Sequence, residues 1–158
     1  MIKVILSDLA RTFLFVKDTS WTDTLNKLYA ELESKKIEYD FWAYFELNFE
    51  YLELMKELKL EYNVNMYTSG YIQNHPKLNA LLTPIFKNIF NEEKVGYKKT
   101  EIKSYEVIAK NLEVEPNEIL FIDDDPRYGE AARNAGLQVF QMTNNQELKK
   151  YLQTLKIL

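Results

Sequence analysis

Three consecutive carboxylates, Asp123, Asp124 and Asp125, directly follow the apolar run 119–122. Adjacent acids at the end of a buried strand repel one another and lose hydration, which is costly unless a positive charge lies beside them. A divalent cation is the simplest partner, since a hard ion such as Mg²⁺ prefers oxygen ligands. The acid run therefore predicts a metal site at the end of a strand.

Polar residues follow two other apolar runs in the same way. Asp8 comes after residues 2–7, and Thr68, Ser69 and Gly70 end the run that starts at residue 64. Each group alone has an ordinary explanation, because an Asp after a strand often caps a helix and Thr-Ser-Gly often forms a turn. Ligands of open α/β sheets bind at the carboxyl ends of the strands, so the three strand ends together predict one site.

Phosphoryl transfer is a reaction that these residues can perform together. If Asp8 and the acid run hold Mg²⁺, the ion can screen the carboxylates and hold a substrate phosphate oxygen against them. One aspartate can then attack phosphorus and form an aspartyl phosphate. The charge on the transferred group must be met by amide N–H groups, a hydroxyl and a cation. Thr68, Ser69 and the amide of Gly70 can supply the first two.

Two lysines are candidates for the cation. Lys98 and Lys99 precede the predicted helix 101–112. The helix dipole disfavours lysine at an N-terminus, so an anion bound there would explain the pair. The alternative is that both are ordinary solvated charges, and the sequence leaves both interpretations open.

Strand-like and helix-like segments alternate along the chain and must position these residues. The strand-like runs are continuously apolar, which is typical of a sheet buried on both faces. They are residues 2–7, 64–68, 119–122 and 138–142, with a weaker candidate at 89–95. The helix-periodic stretches are 21–35, 41–62, 101–112, 127–135 and 146–155. This order predicts an α/β fold with a mainly parallel sheet and helices on both faces.

The segment 21–62 is helical in pattern and unusually aromatic at residues 39–51. One interpretation is that its aromatic side chains pack in the core of the protein. The other is that the segment forms a small lid over the site or a surface for self-association. His75, the only histidine, is expected to face solvent in a polar loop.

Length and composition narrow the possible classes of protein. A chain of 158 residues predicts a single domain, 1–158, with a core of its own. The absence of cysteine excludes disulfides, thiolate zinc sites and thiol nucleophiles. The N-terminal residues resemble a strand rather than a secretion leader, and no apolar segment approaches the roughly 20 residues that span a bilayer. The sequence therefore predicts a soluble, cytoplasmic protein with no membrane partner.

The charge balance bears on the binding partner. The chain has 20 Lys and Arg residues against 24 Asp and Glu residues and no basic block. A nucleic-acid backbone is therefore not expected as a partner. A small phosphorylated metabolite fits better, and the sequence leaves open whether the protein is a monomer or a homodimer.

Four segments together resemble the motifs of a known family. Residues 4–12 are similar to a strand followed by Asp-x-Asp-x-Thr, and residues 66–70 are similar to the second motif. Lys99, with Tyr105 after it, has the spacing of the third motif, and residues 121–136 resemble the fourth. Each motif alone is weak, but four in the correct order are specific. The chain resembles the haloacid dehalogenase-like (HAD) hydrolase superfamily over essentially its whole length.

This resemblance implies a fold and a metal site. The fold would be Rossmann-like, with three layers and a short helical cap inserted at 21–62. Asp8 would be the nucleophile and a Mg²⁺ ligand, and the backbone carbonyl of Ala10 would be a second ligand. Asp124 would bind the metal directly, with Asp123 beside it or one layer further out.

The resemblance also assigns residues to the substrate. Thr68 and Lys99 would hold the phosphoryl group, and Lys99 would also pair with the nucleophile. Ser69, Gly70 and Arg11, which lies in the loop after the first strand, would complete the substrate site.

The chain departs from the family pattern at Ala10, because the family has an aspartate there that protonates the leaving group and later activates water. General acid–base catalysis of this kind contributes roughly 10²–10⁴-fold. Asp18 or Asp125 could replace the missing group. In the fourth motif, Tyr128 stands where many relatives have Asn.

Three functions remain open. The favoured one is a phosphatase that is slow or restricted to leaving groups needing little protonation, such as anomeric or acyl phosphates. The second is a phosphonatase-like or other C–X hydrolase, since family phosphonatases carry alanine at this position, although no lysine of the insertion is marked for the Schiff base that they use. The third is a protein that binds metal and phosphate without catalysis.

Overall fold

The computed structural model, which describes all 158 residues, is built on a five-stranded parallel sheet. The strands are β1 (Val4–Ser7), β2 (Leu14–Val16), β3 (Phe45–Leu47), β4 (Asn63–Thr68), β5 (Ile89–Asn91), β6 (Ile119–Asp123) and β7 (Gln138–Gln141). The helices are α1 (Leu25–Ser34), α2 (Phe41–Tyr44), α3 (Phe49–Leu58), α4 (Pro76–Leu82), α5 (Glu92–Val95), α6 (Ile102–Asn111), α7 (Pro126–Asn134) and α8 (Asn145–Thr154). Strands β2 and β3 form a separate antiparallel pair.

Side chains of the main sheet alternate between two apolar clusters. In β1, Ile5 belongs to one cluster, whereas Val4 and Leu6 belong to the other. Helices α1, α3, α4 and α8 contribute to the first cluster, and α5, α6 and α7 contribute to the second. The predicted three-layer α/β fold, with a sheet buried on both faces, is therefore confirmed. None of the helices combines the length and apolar character needed to cross a membrane.

The strand order β5-β4-β1-β6-β7 determines where a ligand can bind. Strand β1 is central and pairs with β4 on one side and β6 on the other. Its last residue, Ser7, is in register with Met66 of β4 and Ile122 of β6. The chain runs from β1 to β4 and β5 on one side and then crosses to β6 and β7 on the other, and such a switch point opens a crevice at the carboxyl ends of the strands.

The sequence pattern predicted one helix over residues 41–62, and this prediction is wrong. The structure divides the segment into α2, the short strand β3 and α3. Strand β3 pairs antiparallel with β2, a strand that the sequence pattern did not indicate. Asn48 then starts α3, because its side chain accepts a hydrogen bond from the amide of Tyr51 at 3.1 Å. Only the partner strand β2, about thirty positions earlier, makes the extended conformation of β3 favourable.

The aromatic segment 39–51 packs mainly in the core. Phe41, Phe45 and Tyr51 are fully buried, whereas Tyr44 and Phe49 remain exposed. Buried aromatic rings supply a large apolar area to this face of the sheet. The core interpretation of the segment is thus confirmed for these three rings.

Two smaller expectations also differ from the structure. In the candidate strand 89–95, only Ile89–Asn91 is extended, because the side chain of Asn91 accepts from the amide of Lys94 and starts α5. His75 does not face solvent. It is half-buried, its Nδ1 has no hydrogen-bond partner, and its ring stacks on Phe41 at 4.3 Å between centroids.

Candidate active site

Lys99 lies at the centre of the polar residues that follow β1, β4 and β6. Its side chain is fully buried, and its ammonium donates to Asp8 Oδ1 at 2.6 Å, Asp123 Oδ2 at 2.7 Å and the Tyr67 carbonyl at 3.1 Å. All three of its N–H donors are therefore used. Burial opposes the charge, but the two carboxylates raise the pKa of Lys99 above its ordinary value. Lys98, by contrast, is exposed, so the solvated interpretation holds for it alone.

The backbone of Lys99 is fixed from both sides. Its amide donates to Glu92 Oε1 at 2.8 Å, and the Tyr105 hydroxyl donates to its carbonyl at 2.8 Å. The ring of Tyr128 also lies 4.5 Å from the ammonium, a distance at which an aromatic face attracts a cation. The sequence indicated none of these three contacts, because they join residues from different elements.

Asp8 follows β1 and is nearly buried, with 4% of its surface exposed. Thr12 Oγ1 donates to Asp8 Oδ2 at 3.2 Å, while Lys99 holds the other carboxylate oxygen. The Ser7 hydroxyl donates to the Asp8 carbonyl at 2.7 Å and also contacts the Tyr51 hydroxyl at 2.7 Å. Both the side chain and the backbone of Asp8 are therefore held in place.

The acid run separates into three environments. Asp123 is buried and accepts from Lys99 and from the amide of Asp125 at 2.8 Å. Burial and the charge of Asp8 raise the pKa of Asp123 to about 8, against the opposing effect of Lys99. Burial and Asp8 also raise the pKa of Asp124 to about 6. Asp125 instead caps α7 and pairs with Arg127 at 2.6 Å, which holds the pKa of its carboxyl below the ordinary value.

The donor set of this edge fits a hard divalent cation. Carboxylate oxygens of Asp8, Asp123 and Asp124 all lie within 4.8 Å of one another. One ammonium, that of Lys99, pairs with two of these three carboxylates, those of Asp8 and Asp123. The remaining negative charge and the oxygen ligands are those that Mg²⁺ prefers.

The loop after β4 brings a hydroxyl to the same edge. Thr68 is 1% exposed, and its Oγ1 is buried without any hydrogen-bond partner. A buried hydroxyl without a partner is costly, so a ligand oxygen at this position would satisfy it. Ser69 lines the adjacent cleft. Gly70 does not line it; a Cβ at Gly70 would overlap the Asn26 side chain.

The cleft extends from the carboxylates that could bind a metal ion to the start of the segment 21–62. Its wall is formed by residues from the loops after β1, β4 and β6 and from the starts of α1 and α7: Asp8, Ala10, Arg11, Thr24, Leu25, Asn26, Ser69, Asp124, Asp125, Arg127 and Tyr128. The three residues from 24 to 26 were not identified from the sequence. No motif marks them, because they reach the cleft only when α1 packs against the loop after β4.

The two proposed replacements for the missing acid differ in position. Asp125 lines the cleft, but it is committed to Arg127 and to the cap of α7. Asp18 does not line the cleft and is exposed, with its carboxylate accepting from the amide and hydroxyl of Ser20. Both contacts hold these acids in the charged form, which cannot donate a proton.

A family model described as haloacid dehalogenase-like hydrolase matches residues 7–136. The chain is also similar to enolase-phosphatase E1 from Aquifex aeolicus, with 45% identity over 58 residues that cover 35% of this chain and 26% of that protein. Enolase-phosphatase E1 from Lachancea thermotolerans is 36% identical over 84 residues, covering 48% of this chain and 38% of that protein. The chain thus matches well under half the length of these curated relatives.

Solved structures share the fold at low sequence identity. A HAD family enzyme from Bacteroides thetaiotaomicron, in complex with magnesium and inorganic phosphate, has a TM-score of 0.68 and 13% identity, over 94% of this chain and 99% of that one. A HAD-superfamily hydrolase from Geobacter sulfurreducens has a TM-score of 0.66 and 15% identity, over 88% of each chain. These likenesses establish the fold.

Proposed function

The chain belongs to the haloacid dehalogenase-like hydrolase family, and we propose that it is a Mg²⁺-dependent phosphatase of a small phosphorylated metabolite. The reaction proceeds through an aspartyl phosphate on Asp8. The observation that carries this proposal is the cluster of Asp8, Asp123 and Asp124 within 4.8 Å, with Lys99 as the only cation bonded to it. The name of the enolase-phosphatase relatives and the magnesium and phosphate in the Bacteroides structure support it.

Asp8, Asp124 and the backbone carbonyl of Ala10 would hold the Mg²⁺ ion. Asp123 lies within reach of the ion, but its contacts with Lys99 and the Asp125 amide suit it better to fixing that lysine. When bound, Mg²⁺ supplies positive charge that screens the carboxylates and polarises a phosphate oxygen. Its ligands are hard oxygen donors, as the ion requires.

Several residues have separate roles in phosphoryl transfer. Lys99 and Thr12 orient the two carboxylate oxygens of Asp8, so that the nucleophile is positioned before substrate arrives. The free Thr68 hydroxyl donates to a phosphoryl oxygen. The amides of Ser69 and Gly70 supply N–H groups nearby, and Lys99 supplies positive charge. Asp8 then attacks phosphorus, and water later releases phosphate from the aspartyl phosphate.

The insertion 21–62 serves as a small cap in this proposal. Thr24, Leu25 and Asn26, at the start of α1, face the phosphoryl site across the cleft. Substrate selection would reside there, because sites on a shared fold differ through such loops. Helix α3, at the other end of the segment, covers the sheet instead.

A panel of sugar, nucleotide, acyl and aryl phosphates with Mg²⁺ tests the proposal. We expect turnover that EDTA abolishes and that Asp8→Asn and Asp124→Asn each reduce to background. Glu106→Gln is the matched control, since it removes one exposed carboxylate of α6 outside the cleft. Turnover that survives Asp8→Asn would reject the nucleophile.

Ala10 implies that the aspartyl phosphate forms faster than it hydrolyses. Incubation with Mg²⁺ and acetyl phosphate, followed by intact-mass measurement, should show one added phosphoryl group, absent in Asp8→Asn. Rapid turnover without a detectable adduct would mean that another residue activates water.

A second candidate function is binding of metal and phosphate without turnover, and Ala10 is the observation that favours it. Absence of activity across the panel, together with a Mg²⁺-dependent rise in melting temperature that Asp124→Asn removes, would select this function.

A further inference from the structure

We infer that the guanidinium of Arg11 stabilises the departing oxygen of the substrate as an anion, in place of the proton that Ala10 cannot give. The substrates are therefore phosphates with a weakly basic leaving oxygen, such as acyl phosphates or phosphoanhydrides. This inference rests on the proposed phosphoryl transfer to Asp8.

Arg11 lies in the cleft onto which the proposed nucleophile Asp8 opens. It lines the same cleft as Asp8, Ala10 and Asp124, and it is the residue after the alanine. An oxygen leaving phosphorus opposite Asp8 would enter a cleft that contains this cation.

The guanidinium is available for a ligand. Its only hydrogen bond is to the backbone carbonyl of Asp23 at 3.2 Å, and it forms no ion pair with any carboxylate. Arg127, the other arginine of the cleft wall, is instead paired with Asp125. Arg11 thus has unused N–H donors in the fixed fork that suits oxyanions.

The backbone of Arg11 adopts a conformation that glycine would adopt more easily. Its φ is 63°, in the left-handed region that residues with a Cβ rarely occupy. The turn holds it there, because the Arg11 amide donates to the Leu14 carbonyl at 2.8 Å and the Leu14 amide donates to the Leu9 carbonyl at 3.0 Å. Non-glycine residues in such positions are more frequent at functional sites than elsewhere.

Two other polar residues of the cleft are poor substitutes for the missing proton donor. Asp125 is paired with Arg127 at 2.6 Å and caps α7. Burial raises the pKa of the Tyr128 phenol, which makes it a weaker acid than an ordinary tyrosine. Electrostatic stabilisation by Arg11 assists departure without a proton donor.

The step balances without an added reactant. A carboxylate oxygen of Asp8 forms a bond to phosphorus, the bond from phosphorus to the leaving oxygen breaks, and that oxygen departs with the electron pair as an anion beside Arg11. Water then attacks the aspartyl phosphate, the bond between phosphorus and the Asp8 oxygen breaks, and the water proton is lost to solvent.

A series of aryl phosphates, from nitrophenyl to unsubstituted phenyl, tests the inference. The value of kcat/KM for each ester reports the step in which the phenol leaves. Relative to the wild type, Arg11→Gln should lower kcat/KM on the order of 10²-fold for phenyl phosphate and much less for the nitrophenyl ester. The dependence of kcat/KM on leaving-group basicity therefore becomes steeper. Arg11→Lys should restore part of the loss.

Two variants separate this effect from misfolding and from general charge. Arg11→Gly removes the side chain but relaxes the left-handed backbone, so it should fold at least as stably as the wild type and still show the steeper dependence. Arg127→Gln removes the paired arginine of the same cleft and should leave the dependence on leaving group parallel to that of the wild type.

The outcomes distinguish this inference from the proposed function. If turnover depends on Asp8 but kcat/KM depends on leaving-group basicity with the same slope in the wild type and Arg11→Gln, the role of Arg11 is overturned. The proposed phosphatase function would still stand. A wild type with no turnover of any ester in the series would overturn both. A steeper slope in Arg127→Gln as well would show that only the overall charge of the cleft matters.

Discussion

At the scale of single residues, Lys99 compensates the charge of the strand ends. Its ammonium joins Asp8, the proposed nucleophile, to Asp123, and all three side chains are buried. Removal of one partner of a buried ion pair leaves an uncompensated charge, which costs more than the pair itself contributes. Lys99 therefore compensates the negative charge of two carboxylates of the cluster when no metal is bound.

We predict that Lys99→Met lowers the free energy of unfolding by about 3–5 kcal/mol in metal-free buffer, because Asp8 and Asp123 lose their shared cation. Urea unfolding followed by circular dichroism measures the change. Lys98→Met is the matched control, since that side chain is exposed, and it should stay close to the wild type.

The double variant Lys99→Met with Asp123→Asn isolates the cause. It removes the cation together with one of the two carboxylates that the cation pairs with, so it should recover a substantial part of the lost stability. A double variant no more stable than Lys99→Met would show that packing of the lysine stem, rather than charge, is what the cluster requires.

At Ala10, we predict that an acid increases turnover. Ala10→Asp should raise kcat/KM for phenyl phosphate by about 10²-fold, since a carboxyl at this position can protonate the leaving oxygen. The gain should be small for nitrophenyl phosphate, whose leaving group needs no proton. Ala10→Asn, which has the same shape without the proton, is the control, and equal rates in both variants would contradict the prediction.

At the scale of elements, α3 supports the backbone of Asp8 through a chain of hydroxyl groups. The Ser7 hydroxyl donates its one hydrogen to the Asp8 carbonyl, so the Tyr51 hydroxyl must be the donor in its contact with Ser7. The ring of Tyr51 stacks on Phe13 at 4.8 Å between centroids. A helix in the layer that covers the sheet thereby fixes the backbone that carries Asp8.

We predict that Tyr51→Phe lowers the free energy of unfolding by about 1–2 kcal/mol, because it leaves the buried Ser7 oxygen without its donor while the stack on Phe13 remains. It should also reduce kcat more than it changes KM, since the displaced group is the nucleophile. Tyr44→Phe, at an exposed tyrosine of α2, is the control. Unchanged stability would mean that the Tyr51 hydroxyl contributes nothing to holding β1.

At the scale of the whole molecule, the inserted segment is docked on the loop that carries Thr68. Asn26 accepts hydrogen bonds from the amides of Tyr71 and Ile72 at 3.3 and 3.4 Å. Just beyond, His75 lies among aromatic rings of the segment, which are those of Tyr29, Tyr39 and Phe41. The segment 21–62 and the loop after β4 are thus parts of one packed unit.

We predict that this docking weakens as pH falls. Burial lowers the pKa of His75 in the folded protein, an effect that Glu33 opposes and Lys77 reinforces. The unfolded chain then binds the proton more tightly, so stability is lost as pH falls through about 6.5 towards the lower folded value.

His75→Phe tests this effect, because it keeps an aromatic ring against Phe41 but cannot titrate. Urea unfolding of both proteins at several pH values between roughly 7 and 5 gives the difference in their stability, from which the shared carboxylate contributions cancel. That difference should shift in favour of the variant as pH falls. A constant difference across the range would exclude His75 as the source.

The sequence by itself determined the sheet and the positions of the acids. A mainly apolar run that ends in Asp or in a hydroxyl-glycine turn is a local pattern, and it located β1, β4 and β6 to within two residues at each end. The strand ends converge because parallel strands place their carboxyl ends at one edge. The first strand, the acid run and the hydroxyl loop could therefore be assigned to one site before any contact was known.

The tertiary structure alone decided how that site is completed. The burial of Lys99 rather than Lys98, the division of 41–62 by β3, and the aromatic surroundings of His75 all depend on residues distant in the chain. Local sequence patterns do not predict such contacts, because the free energy that favours them comes from a residue or strand distant in the chain. The left-handed turn at Arg11 is of the same kind, since hydrogen bonds that close only in the folded loop hold it there.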